Sequence, residues 1–413
     1  MQKFFSVAAI AAASFAMPAY AAQTADPDVN KLPAGAEKAI VAEACTTCHE
    51  LGRIVNGSYD AAGWSNTVHM MMNAGAALTP DQVDPVIKYL IKSFPEKPAN
   101  PFKAVNGPVK ITLKEWELPV PGSRPHDPLA APDGTMWYTA HMGSYIGHLD
   151  PKTGKIDTYK TKTPVSGPHG LTMDKDGNVW YTGNFKGYIG KLDTKTGQFT
   201  EYKTGAARDP HTPLFDKNGI LWFTSQNSNM VGRLDPKTGA VKLAIVPTEK
   251  AAPYGMVFDS KGKLWFSEWQ APKLASIDAD TMEIKEVVLP NPGTRPRRIA
   301  IDGNDVIWIS DYSRGYLGMY DTKTGANKEW PSPGGPKSQP YGITTLNGIV
   351  WYDEGNVKPN GLVRFDPKTE TFQTFPVLPS GGGVIRNMMP TKDGKGLVMA
   401  ESGVNHVAIA TIN

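Results

Sequence analysis

From residue 109 to the C-terminus, short apolar runs alternate with polar turns, and the whole pattern repeats. Each unit opens on a proline-led apolar strand, turns tightly and returns through a second strand carrying a tryptophan. A third strand then ends in Asp before another turn. Trp137, Trp180, Trp222, Trp265, Trp308 and Trp351 mark the second strands and lie 43, 42, 43, 43 and 43 residues apart. A degenerate seventh copy has Val398 at this position. Asp133-Gly134, Asp176-Gly177, Asn218-Gly219 and Asp393-Gly394 suit two-residue hairpins. A second turn series, Asp150 to Gly154, Asp193 to Gly197, Asp235 to Gly239 and Asp321 to Gly325, starts on an Asp able to accept hydrogen bonds from the turn backbone.

A period of about 40–45 residues with four short strands per unit predicts a β-propeller, and the count here is seven. The last copy lacks a strand after His406 to Ile412, whereas a spare strand, Val109 to Leu118, precedes the first copy. It is similar to the outer strands Lys155 to Lys160 and Gln198 to Lys203. It is therefore expected to complete the seventh blade and leave no open edge.

The N-terminal part follows a helical period instead. Ala36, Ile40, Val41 and Ala44 share one face, as do Val83, Val86, Ile87, Leu90 and Ile91. Thr79 is an N-cap with Pro80 at the first helical position, predicting a helix over Pro80 to Ser93. Met1 to Ala21 has Lys3, an apolar stretch and Ala19-Tyr20-Ala21, the layout of a cleaved signal peptide too short to span a bilayer. The expected organisation is thus a signal peptide (1–21), a small all-α domain (22–94), a proline-punctuated linker (95–108) and an all-β seven-bladed propeller (109–413). Hydrophobic residues make up 40% and charged residues 20%, with net charge +3, which gives no nucleic-acid footprint. No segment calls for stable membrane insertion.

The only two cysteines sit in Cys45-Thr46-Thr47-Cys48-His49. C-x-x-C-H is the attachment motif of c-type haem, in which two thioethers hold the porphyrin and the histidine binds iron. Without a second cysteine pair there is no zinc site to complete. One covalent haem c and a periplasmic location follow as expectations. The region is similar to short c-type cytochrome domains that continue with W, then M-x-x-x-G-A, then Y-L. Trp64, Met71, Gly75-Ala76 and Tyr89-Leu90 match. That resemblance selects Met71, rather than Met70, Met72 or His69, as the sixth iron ligand opposite His49.

Within the repeats, His126, His169, His211, Tyr254 and Arg297 each stand 11 residues before the tryptophan. Tyr341 and Arg386 or Asn387 hold the nearby place in the last two copies. Equivalent positions in a ring of blades point at one axis, so these side chains should line one mouth of the channel. His141, Asn184, Gln226, Glu268, Asp311, Glu354 and Glu401, just after the second strands, should form a second ring nearby. Neutral imidazoles of His126, His169 and His211 can bind a Zn, Cu, Fe or Ni ion or act as acid and base. His141, Tyr254, Glu268, Arg297, Asp311, Tyr341, Glu354, Arg386 and Glu401 would form the substrate pocket.

Pro168-His169-Gly170-Leu171, Pro253-Tyr254-Gly255-Met256, Pro340-Tyr341-Gly342-Ile343 and Leu264-Trp265-Phe266-Ser267-Glu268 resemble the repeats of the virginiamycin B lyase (streptogramin lyase) family of seven-bladed propellers. The resemblance implies a substrate-contacting histidine at Arg124-Pro125-His126, a general base at His169, and carboxylates that help hold Mg²⁺. Gly167 and Asn184 stand where those carboxylates belong, so a Mg²⁺ site is not expected. The favoured reading is a periplasmic haem c–propeller fusion in electron transfer, an oxidoreductase with a small-molecule or metal site and a cytochrome or dehydrogenase as redox partner. The alternatives are a C–O lyase using His169 or a non-catalytic propeller that docks a redox partner.

Overall fold

Seven four-stranded antiparallel sheets succeed one another around an axis in the computed structural model, which describes residues 26–413. The expected signal peptide lies outside the described residues. The innermost strands are Pro125–Ala130, Pro168–Met173, Pro210–Phe215, Pro253–Phe258, Pro296–Ile301, Pro340–Leu346 and Ile385–Pro390. Six blades are consecutive in sequence; the seventh is closed by Ile111–Glu117, which pairs with His406–Ile412 as Ile111 opposite Ile412 and Glu117 opposite His406. Joining both ends of the propeller in one blade gives that blade the same four strands as the others and closes the ring.

The core is a series of layers between neighbouring blades rather than one centre. Trp180 and Ile189 of blade two, for example, pack against Leu221, Phe223 and Leu234 of blade three. The repeated tryptophan combines an apolar body with one polar tip, and its indole N–H reaches an Asp six residues earlier. Trp180, Trp222, Trp265 and Trp308 donate to Asp174, Asp216, Asp259 and Asp302 at 2.8–3.1 Å. The same aspartates accept backbone N–H groups of the hairpin turn. In these four blades one carboxylate therefore ties the turn to its interblade layer.

Among the described residues a short 3-10 helix (Pro27–Lys31) and four α-helices form the smaller unit: α1 (Lys38–Cys45), α2 (Gly52–Val55), α3 (Ala61–Asn73) and α4 (Pro80–Ser93). They enclose their own apolar cluster around Trp64, Val41, Leu51, Val86 and Leu90. Trp64 donates its indole N–H to the Phe94 carbonyl at 2.8 Å. At α4, Gln82 accepts from the Thr79 N–H at 3.0 Å, the reciprocal arm of a capping box. No helix among the described residues is long and apolar enough to cross a membrane.

The proline-punctuated segment then runs extended along blade six. Phe102 N–H donates to the Lys358 carbonyl, and Val105 exchanges hydrogen bonds with Thr374. On the other side, α3 rests on the rim between blades seven and one. Asn66 donates to the Ser402 and Gly403 carbonyls at 3.2 and 2.8 Å, and Asn73 to the Pro121 carbonyl at 2.8 Å.

Candidate functional site

The second residue of every inner strand turns into the channel, giving a closed ring of His126, His169, His211, Tyr254, Arg297, Tyr341 and Arg386. A local irregularity positions them. In each blade the register with the second strand shifts just after the strand's first residue, as between Pro210 and Pro213. Such a bulge frees the second residue from ladder pairing and re-aims its side chain.

A hydroxyl two residues after the tryptophan then locks the arrangement from blade to blade. Thr139, Thr182, Thr224 and Ser267 donate to the carbonyls of His169, His211, Tyr254 and Arg297 in the next blade, at 2.7–2.9 Å. Each also accepts a backbone N–H from its own inner strand, at 2.8–3.2 Å. In blade six Asp353 takes over that accepting role for Gly342. These residues escaped the sequence reading, although their constant offset from the tryptophan was a usable signal.

Three imidazoles form a tilted stack, with successive ring planes 39° and 47° apart. The ring centroids of His126 and His169 are 3.5 Å apart, and those of His169 and His211 are 3.9 Å apart. His141 stands edge-on, 5.6 Å from His126 and 5.1 Å from His169. All four are buried. Burial first, then neighbouring arginines and, for His126, His169 and His211, neighbouring histidines, pushes each well below the ordinary imidazole value, so they are neutral at neutral pH. Nδ1 of His126 meets Asp127 at 2.9 Å and that of His211 meets Thr212 at 3.0 Å. By contrast, Nδ1 of His169 and both ring nitrogens of His141 have no partner among the described residues.

Opposite the stack lies an aromatic and cationic wall. Tyr254 and Tyr341 share a hydroxyl–hydroxyl contact of 2.5 Å, and Tyr254 lies 4.0 Å from His211. The Arg297 guanidinium sits over Tyr341, Tyr312 and Trp269 at 4.0, 4.2 and 4.6 Å. Burial raises the Tyr341 phenol, but Arg297, Arg386 and Arg298 outweigh it and bring the phenol below its usual value. Beneath the ring, Arg298 reaches across from blade five to Asp127 of blade one at 2.6 Å. His126, Asp127 and His169 present ligand atoms within 4.8 Å of one another, a set that a borderline metal can use. Asp127 is already committed to Arg298.

The carboxylates after the second strands are held elsewhere. Asp311 pairs with Arg314 at 2.6 Å, Glu354 accepts from Ser332 and Gly334, and Glu401 accepts from Ser380. Glu268 lies beside the Lys273–Glu286 pair, and burial, then Glu286, pushes it up to about 8. Burial likewise raises Glu354 and Glu401. Asn184 donates to the Asp209 and Pro210 carbonyls of the next blade.

In the helical domain Cys45 ends α1 and Cys48 lies just beyond it, with no disulfide between them. Burial pushes the Cys45 thiol up to about 11. Nδ1 of His49 lies 2.9 Å from the Glu50 carbonyl. A carbonyl only accepts, so Nδ1 donates to it. That hydrogen bond fits an iron-ligating histidine oriented by a backbone carbonyl, and the two cysteines beside it fit covalent haem. Met70, Met71 and Met72 share the last turn of α3, with Met72 packed against the helical core.

The virginiamycin B lyase family matches this chain over residues 106–365. Among solved structures, virginiamycin B lyase from Staphylococcus aureus superposes with a TM-score of 0.67 at 24% identity, covering 73% of this chain and 99% of that one. A streptogramin B lyase structure gives 0.66 at 26% identity, covering 73% and 98%. A catalytically inactive histidine-to-alanine variant of the Staphylococcus aureus enzyme with quinupristin gives 0.66 at 24%, covering 73% and 99%. No curated protein gives a sequence match.

Proposed function

The chain belongs to the virginiamycin B lyase family, and from that premise we propose that its propeller is a C–O lyase working on a small carbonyl compound at the histidine stack. The observation that carries this reading is the His126–His169–His211 stack, buried and neutral, at the mouth of a propeller of that family. Neutral His169 with an unpartnered Nδ1 is equipped to accept a proton. In the elimination, the proton on the carbon beside the carbonyl passes to His169. Its C–H electron pair becomes a C=C bond, and the C–O electron pair departs with the oxygen. Negative charge develops among guanidiniums already in place, which lowers the barrier without reorganisation. Gly167 and Asn184 replace the expected Mg²⁺ carboxylates, so the reaction proposed here draws on this chain's own cations.

A second role, electron transfer in the periplasm, is supported by C-x-x-C-H and by the backbone carbonyl that orients the His49 ring through Nδ1. Cys45 and Cys48 would hold haem c, with His49 and Met71 facing the iron; the bound group would supply one-electron transfer to a redox partner.

The test uses the haem-loaded protein with a panel of β-acyloxy carbonyl compounds, following the conjugated product by absorbance. Turnover should survive EDTA and fall by at least about 100-fold in His169→Asn. Wild-type inactivity across the panel, or full activity of His169→Asn, would refute the lyase reading. Streptogramin B should not be opened in a Mg²⁺-dependent way. Metal analysis alongside His211→Ala checks that no transition metal occupies the stack.

A further inference from the structure

We infer that the propeller mouth also carries a binding site for a small oxyanion, a carboxylate or phosphate group, gripped between Arg124 and Arg386 on the rim between blades seven and one. Arg124 ends the loop that leads into blade one, with its backbone in the left-handed region at φ 52. Its carbonyl accepts from the His141 N–H at 3.1 Å, which anchors this unusual conformation. Arg386, second in the inner strand of blade seven, donates through Nε to Ser402 at 3.1 Å. Both terminal nitrogens are thereby left for a ligand.

Ser402 also donates to the Pro125 carbonyl beside Arg124, so the two arginines share one scaffold. Their charges act directly on each other: Arg386 is the largest influence in bringing Arg124 down to about 9. Like charges held together out of water are costly unless something of opposite sign joins them.

Within the ring that sign comes from the Tyr341 and Tyr254 phenols, which act on Arg124, and from no carboxylate paired with Arg124 or Arg386 among the described residues. Among the described residues, ion pairs in the ring involve only Arg298, which takes Asp127. Arg124, Arg297 and Arg386 have no carboxylate partner there. Asp353, the other buried acid nearby, is pushed well up by burial and held by Gly342 N–H, so it does not neutralise them.

The polar atoms around the pair are also unsatisfied. His141 is 6% exposed and feels both arginines, yet neither ring nitrogen has a partner among the described residues. Nε of Arg298, 4% exposed, and Nε of Arg297 are likewise unpartnered. Two guanidinium forks with a neutral imidazole beside them match the oxygens of a carboxylate or phosphate. A cation would meet four guanidiniums.

In naming the substrate as a carbonyl compound that bears such a group, this inference rests on the lyase reading; the binding itself does not. The experiment is calorimetric titration of the full haem-loaded protein in low-salt buffer with inorganic phosphate and, separately, acetate. One saturable site is expected, with the stronger ligand identifying the group, and melting should be raised by that anion more than by chloride at equal ionic strength. Arg124→Gln or Arg386→Gln should each weaken binding by at least about 10-fold, and Arg386→Lys by less. No saturable binding or melting shift with either anion in the wild type would overturn the proposal, as would equal affinity in the double Arg→Gln variant. Binding retained in a protein without elimination activity would leave the site standing and remove the lyase reading alone.

Discussion

Both carboxylate oxygens of Glu268 are buried without a hydrogen-bond partner among the described residues. The carboxyl, pushed up to about 8, therefore holds a proton in the folded state that the unfolded chain has released. Stability linked to this group is fully present below about pH 4.5 and falls as pH rises towards 8, because the folded state binds more protons over that window. Glu268→Gln should leave the melting temperature unchanged at about pH 4 and raise it at about pH 9. Equal melting shifts at both values would contradict the burial argument. At the same scale, the double Cys45→Ser, Cys48→Ser variant should lose covalent haem on a denaturing gel. Met71→Ala should lose a thioether–iron band at the far-red edge that Met70→Ala and Met72→Ala retain. A band surviving in all three would remove Met71 from the assignment.

At the scale of the element, one buried hydroxyl in each of four blades reaches the inner strand of the next. Thr182 donates to the His211 carbonyl and accepts from Gly170, both at 2.8 Å, in a fully buried position. Valine has the same shape but would leave a donor and an acceptor unmatched. Thr182→Val is expected to cost about 1–3 kcal/mol in urea unfolding, whereas Thr182→Ser should cost much less. A neutral Thr182→Val would mean that the bulge alone aims the histidines. The closing strand Ile111–Glu117 was legible from its likeness to other outer strands, because edge satisfaction is a local requirement. The bulges were not, since a register shift leaves no mark on an apolar run of this length.

For the molecule as a whole, the question is what holds α3 to the propeller rim. Lys358 bridges Asp60 and Glu96 at 2.8 and 2.6 Å, but all three are substantially exposed, and such pairs contribute about 0–1 kcal/mol. The tighter constraint is at Gly122, in the left-handed region at φ 68, where an added Cβ would lie 2.4 Å from the α3 backbone at His69 and Met70. Gly122→Val should lift the helical domain, speeding proteolysis within residues 95–108 and enlarging the radius of gyration by scattering. Unchanged cleavage and radius would show that the contact is dispensable.

The period of the tryptophans, the two hairpin series and the switch from helical to strand spacing determined the architecture by themselves. Each is a demand that neighbouring residues place on their own backbone, and a repeat multiplies the signal. The same arithmetic marked His126, His169, His211, Tyr254, Arg297 and Tyr341 as facing one axis, since equivalent positions in a closed ring must converge. Only the tertiary structure decided what those side chains meet. Asp127 and Arg298 touch across blades one and five, and no periodicity links them. Asp311, Glu354 and Glu401, expected on the rim, meet Arg314, Ser332 and Ser380 instead, and Glu354 and Glu401 each keep one buried oxygen without a partner among the described residues. A side chain's position follows from its strand, but its partner is set by whatever else is folded against it.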